Sequence, residues 1–309
     1  MTTICTVLAG ERPFHELLGW GHEALVRPLA SDVEIVVGWS TTRLHVAGAF
    51  TRTKADLVRA SGGADFAVDG TVLYAALALS APNALVPDAH VGNLLNRYVR
   101  PLLRALKHVG VNARYSDRDW IGTPNGPIAS LGFARLERTE RTLIETCIAV
   151  SGGLWLEPTR ASFLGKLPTH LHALNVQQGP KGIAKLIVDS YISTSNVEPL
   201  ETTFSCAPCK AAEAENFAFT HVAPIPIGWV GATQTDDGLL HVGGEWMAAS
   251  DVVTELERVV STCAVEEIPH AVQATLGRKS AGTFGIQTLT PFVNVIRLAR
   301  EGHNASPNS

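Results

Sequence analysis

The order of its segments predicts an α+β protein: a β-sheet flanked by helices, followed by a smaller α+β module. Three observations carry this expectation. Runs rich in Val, Ala, Leu and Thr, separated by turn residues, fill much of the first half. Apolar residues recur at helical spacing from Leu94 to Leu106. Over residues 196–216 the composition changes to Pro, Thr, Ser, Ala and charge, which marks a linker or long surface loop.

Taken in order, residues 11–28 set Leu17, Leu18, Ala24, Leu25 and Val26 among polar positions, an amphipathic helix interrupted at Gly19 and Gly21. Strands are predicted over residues 33–39, 44–50, 57–60 and 71–79. Leu94, Leu95, Tyr98, Val99, Leu102, Leu103 and Leu106 then form one face of a helix that ends at Gly110 and packs flat on the sheet. Further strands fall at residues 111–115, 128–136 and 141–150, the last two paired as a hairpin around residues 137–140. A helix at residues 180–191 turns Ile183, Ala184, Ile187 and Val188 to the core. Beyond the linker come a short strand at residues 238–243 and helices at residues 250–263, 266–276 and 288–300, with Ser250 as N-cap of the first. The expected domains are therefore 1–195 and 217–309, joined by 196–216.

The 309 residues suffice for one large domain and a smaller one. A formal charge of −4 with scattered basic residues offers no footprint for nucleic acid or an anionic membrane, so a small-molecule or protein substrate is expected. Neither a signal peptide nor a bilayer-spanning segment is recognisable, which sets a cytoplasmic expectation. The cysteines, five at uneven spacing, are expected to be mostly reduced.

The segment Arg59-Ala60-Ser61-Gly62-Gly63-Ala64-Asp65, succeeded by Asp69-Gly70 and an apolar run to Leu79, reads as strand, glycine turn, strand. Two adjacent glycines let bare amides approach an anion, and the guanidinium clamps carboxylate or phosphate oxygens in a fixed fork. An ordinary hairpin turn is the alternative reading. Cys147 lies in a strand whose alternation puts Leu143, Glu145, Cys147 and Ala149 on one face and Ile144, Thr146, Ile148 and Val150 on the other. Buried cysteine commonly acts as a small hydrophobe; a nucleophilic one needs its thiolate stabilised. Cys206-Ala207-Pro208-Cys209 has the spacing of half a zinc site or a redox pair, without a second closely spaced pair to complete it. Thr169-His170-Leu171-His172 brings two imidazoles to one face of an extended segment, but no carboxylate accompanies them.

Taken together these motifs resemble the lipoate and biotin protein ligase superfamily, octanoyltransferases included. Arg59-Ala60-Ser61-Gly62-Gly63 resembles its arginine-(any)-serine-glycine-glycine-glycine turn, and the stretch from Asp69-Gly70 to Tyr74 resembles the family's segment immediately after that turn. Asn125-Gly126-Pro127-Ile128-Ala129 resembles the family's asparagine-glycine-(basic)-lysine-isoleucine-alanine segment. The resemblance implies a mixed-sheet catalytic domain with a small accessory domain. It implies a small or medium-chain carboxylic acid as substrate, ATP and magnesium where an acyl-adenylate is formed, and an amine, acyl-carrier or lipoyl-domain protein as acceptor. Transferases of the superfamily start from an acyl thioester instead.

Carried onto this chain, the resemblance places Arg59 on the acyl carboxylate or phosphate, with Ser61, Gly62, Gly63 and Asp69 around it, and Asn125, Gly126, Ile128 and Ala129 on the second wall. The strand from Cys147 to Gly152 resembles the nucleophile strand of cysteine-dependent transferases, which implies Cys147 as a catalytic nucleophile. Two positions depart from the pattern. Ala64 replaces the third glycine, and Pro127 replaces the lysine that touches the acyl carbonyl and phosphate; residues 109–165 contain no lysine at all. Loss of such a cationic donor typically costs about 2.7–4 kcal/mol in the transition state. The sequence therefore leaves open an active ligase or transferase, a ligase rebuilt for a different acid, and a non-catalytic binding or partner subunit.

Overall fold

The computed structural model describes residues 2–52, 54–116, 119–155, 166–194, 199–204 and 218–304. The first module runs β1 (Ile4–Glu11), α1 (Phe14–Val26), β2 (Val33–Ala47), β3 (Leu57–Val58), β4 (Phe66–Leu79), α2 (Leu94–His108), β5 (Arg114–Tyr115), β6 (Trp120–Thr123), β7 (Gly126–Arg135), β8 (Thr142–Trp155), α3 (Pro180–Ile192) and β9 (Leu200–Glu201). These strands form one nine-stranded sheet in the order β5-β6-β7-β8-β4-β2-β1-β9, with β3 beside β2. The sheet is mixed: β1 runs parallel to β2 and β9, while β2, β4, β8 and β7 pair antiparallel in succession.

The alternation read from Leu143 to Val150 is what divides the core. Leu143, Cys147 and Ala149 join Val72, Tyr74 and the apolar side of α1 on one face of the sheet. Ile144, Ile148 and Val150 join α2 and α3 on the other. Helix α2 reads as the periodicity predicts, with Leu94, Leu95, Tyr98, Val99, Leu102 and Leu106 buried.

The second module comprises β10 (His221–Ile225), β11 (Gly228–Gln234), β12 (Leu240–Gly244), α4 (Ser250–Thr262), α5 (Ile268–Leu276) and α6 (Thr290–Asn304). Its interior is not a separate core. Trp246, Met247, Val252, Leu256, Phe292 and Ile296 belong to the same apolar cluster as Leu131, Phe133 and α2. Polar clasps hold the seam: Arg52 Nη1 meets Glu257 Oε1 at 2.7 Å, and Arg278 meets both Glu137 (2.6 Å) and Glu255 (2.5 Å). Arg135 Nη1 donates to Ser280 O at 2.6 Å.

Several boundaries differ from the expectation. The predicted strands at 33–39 and 44–50 are one continuous β2, and β4 begins at Phe66 rather than at 71. Strands β1, β6, β10 and β11 were not expected. Ser250 is the first residue of α4 rather than its cap; Ala249 holds the cap position, with no side-chain cap bond. No helix among the described residues is long and apolar enough to cross a membrane.

Candidate functional site

The Arg59 to Asp65 segment folds back from β3 over the face of the sheet that α1 covers. Beneath it, strand β7 offers Ser130 and Gly132, both paired in register with β8 at Cys147 and Glu145. Small residues there make room for a large one. A Cβ on Gly132 would come within 2.1 Å of Ser61 Oγ and 2.9 Å of Arg59 Nη1, so only glycine lets the turn settle onto the sheet.

Arg59 is fully buried. Its Nη1 donates to Ser130 Oγ (3.3 Å), its Nη2 donates to Ala64 O (3.1 Å), and the guanidinium carbon lies 5.5 Å from the Phe66 ring centroid. Its Nε and the neighbouring Ser61 Oγ are buried without a partner. Burial of a guanidinium is costly unless its donors are used, so the unfilled Nε marks a position where an acceptor oxygen would be favourable.

The backbone amides of the turn are all committed. Ser61 N–H donates to Glu145 Oε2 (2.8 Å), and Ala64 N–H donates to Asp119 Oδ2 (3.0 Å). Gly62 N–H donates to Phe133 O and Gly63 N–H to Trp246 O, each at 2.9 Å. Gly63 sits at φ +117°, and a Cβ there would lie 2.5 Å from Arg59 Nη2. The second module thus closes the turn from above: the Trp246 ring packs 4.9 Å from Phe50 and 5.0 Å from Phe292, centroid to centroid.

Glu145 completes the cluster. It is fully buried, receives Tyr74 OH at 2.7 Å besides the Ser61 amide, and lies against Gly21 of α1, where a Cβ would come 2.5 Å from Oε1. Cys147 is also fully buried, one cross-strand position from both Tyr74 and Ser130. Burial pushes its thiol up to about 12; Arg59 acts to lower it and Glu145 to raise it. At neutral pH the side chain is therefore a protonated thiol with no open side, and this arrangement does not present it as a nucleophile.

The remaining predicted residues lie apart from this cluster. Asp69 is exposed at the bend of β4, lining a cleft of about 530 Å³ with Arg43 and Asp56. Asn125 is exposed at the β6–β7 turn, where Thr123 Oγ1 takes its amide. Gly126, at φ +130°, is buried against the carbonyl of Leu167. Ile128 and Ala129 are buried in the apolar core on the opposite face of the sheet. Pro127 is buried in β7 and its carbonyl receives the Thr169 amide at 2.8 Å. Lys166 is exposed next to Gly126, and Lys107 is exposed in the last turn of α2.

His170 Nδ1 accepts the Ala173 amide at 3.2 Å, and His90 caps the turn before α2. Among the described residues no three His, Cys, Asp or Glu side chains gather to hold a metal ion; Cys206 and Cys209 lie outside those residues. The sequence reading missed Glu145, Asp119, Tyr74, Ser130 and Gly132. Glu145 carried a signal: a carboxylate inside an apolar strand, on the same face as Cys147, asks for a buried partner.

The residues present do not fit a nucleotide phosphate at this turn. Its amides have protein acceptors, two of them carboxylates, and Pro127 brings no donor where a cation is needed.

No protein-family model matches the sequence, and comparison with curated proteins gives no match. Solved structures do match. P. falciparum LipL1 in complex with lipoate superposes with a TM-score of 0.60 at 9% identity, over 98% of this chain and 100% of that one. A bi-partite lipoate protein ligase from Thermoplasma acidophilum, solved with its E2 lipoyl domain, matches with a TM-score of 0.51 at 13% identity, over 66% of this chain and 88% of that one. With its mixed sheet, its flanking helices and a full-length match to the first of these, the chain has the lipoate/biotin protein ligase fold.

Proposed function

We propose that this protein is an acyl-transferring protein of the ligase type, moving the acyl group of a small or medium-chain carboxylic acid to an amine or to a carrier-protein acceptor such as a lipoyl domain. The observation that supports this best is Arg59: a fully buried guanidinium under the diglycine turn, with Nε still lacking an acceptor. It lies on a fold shared with a protein that binds lipoate and with one that acts alongside a lipoyl domain. Two donors are compatible with this chemistry, the free acid with ATP and magnesium, or a preformed thioester. In either case Arg59 and Ser61 would hold the acyl carbonyl oxygen, and the sheet face and α1 would exclude water.

A second reading, a ligase-fold protein that binds without catalysis or serves a partner subunit, is favoured by Pro127 in the lysine position and by the protonated, enclosed Cys147. One experiment separates them. The full chain is offered ATP, magnesium and a panel of carboxylic acids while pyrophosphate exchange is measured, and in parallel octanoyl thioesters with a lipoyl domain whose intact mass is recorded. Exchange or a mass gain on the acceptor supports the first reading. Ligand binding with neither supports the second, and no binding of any acid or thioester overturns both.

A further inference from the structure

The diglycine turn has the shape of an anion cradle, but the anion is already built in. Four consecutive amides, Ser61 to Ala64, each have an acceptor, and the acceptors at the two ends are the carboxylates of Glu145 and Asp119. Glu145 receives one amide N–H and one phenol O–H, so both its oxygens act as acceptors, as an ionised carboxylate requires. It cannot swing aside toward α1, because Gly21 already stands against Oε1.

A phosphate or carboxylate entering this turn would meet two carboxylates in a dry interior and would have to displace hydrogen bonds that leave Glu145 short of partners. A neutral carbonyl faces neither obstacle. It needs one or two donors, and two buried groups remain without partners beside the turn: Arg59 Nε and Ser61 Oγ.

We infer that Glu145 sets the charge of the acyl donor: it fills the turn as a built-in anion and restricts the site to an acyl group that is uncharged at its carbonyl end, as in a thioester, excluding the free carboxylate and the nucleotide phosphate. This rests on the acyl-transfer reading and chooses between its two donors. The corresponding step balances without a nucleotide. The acceptor amine bonds to the acyl carbon, the carbon–sulfur bond breaks, and the proton released by the amine passes to the departing thiolate.

The test is calorimetric titration of the full chain with three probes: the octanoyl thioester of N-acetylcysteamine, octanoate, and AMP. The expected result is saturable binding of the thioester, with octanoate and AMP at least tenfold weaker. Glu145→Gln is expected to narrow that gap at least tenfold. Equal or tighter binding of octanoate or AMP by the unaltered chain overturns the inference and leaves acyl transfer standing; absence of binding by every acyl probe overturns both. An unchanged gap in folded Glu145→Gln also overturns it. Should that variant not fold, amide exchange on the unaltered chain decides: protection at residues 61–64 should be unmoved by AMP, and a change there on adding AMP overturns the inference.

Discussion

At the scale of single residues, burial rather than residue type decides what the polar groups of this face can do. Cys147 is predicted to resist alkylation in the native protein at neutral pH and to react with iodoacetamide only on unfolding, which peptide mapping by mass spectrometry checks. Its raised thiol also has a thermodynamic sign. The folded state holds the proton above the ordinary value near 9, so this stabilisation is complete below pH 9 and declines as pH rises toward about 12. Urea denaturation across that window should show stability falling with pH, less steeply in Cys147→Ala. Gly63→Ala adds a Cβ at positive φ, 2.5 Å from Arg59 Nη2 and 3.0 Å from Leu131 O, and should destabilise by about 1–3 kcal/mol. The sequence marked Arg59, Ser61, Gly62 and Gly63 because their chemistry is local. Asp119, Ser130 and Glu145 reach the same place only through strand register, which a linear reading does not supply.

At the scale of elements, the segments with strong internal periodicity were legible and those defined by their neighbours were not. Helix α2 shows its buried face in its own sequence. Strand β6 is four residues long, β10 carries Pro224 on a sheet edge, and β1 is a short run whose parallel partner lies beyond a helix; none alternates enough to announce itself. The turn between β7 and β8 was foreseen, but not what holds it. Asp251, in the first turn of α4, accepts the amides of Glu137 (2.9 Å) and Arg138 (3.2 Å). Asp251→Ala should cost about 1–2 kcal/mol by removing an acceptor for two amides, and Asp251→Asn should recover part of it in the same chemical denaturation measurement.

At the scale of the molecule, a boundary near residues 196–216 describes the chain but not its packing, because the apolar cluster continues from β7 into α4 and α6. Trp246→Ala should therefore destabilise the whole protein by about 3–5 kcal/mol in one cooperative transition, rather than releasing the second module alone. Separate transitions for the two modules in calorimetry would contradict this.

The acceptor for the Gly63 amide comes from Trp246, 183 positions later in the chain. While the polypeptide is being made, the arginine turn must wait, exposed, until the last quarter leaves the ribosome. A half-synthesised protein thus presents the very groove that the finished one has sealed, and any acyl compound or chaperone competing for it would do so during translation.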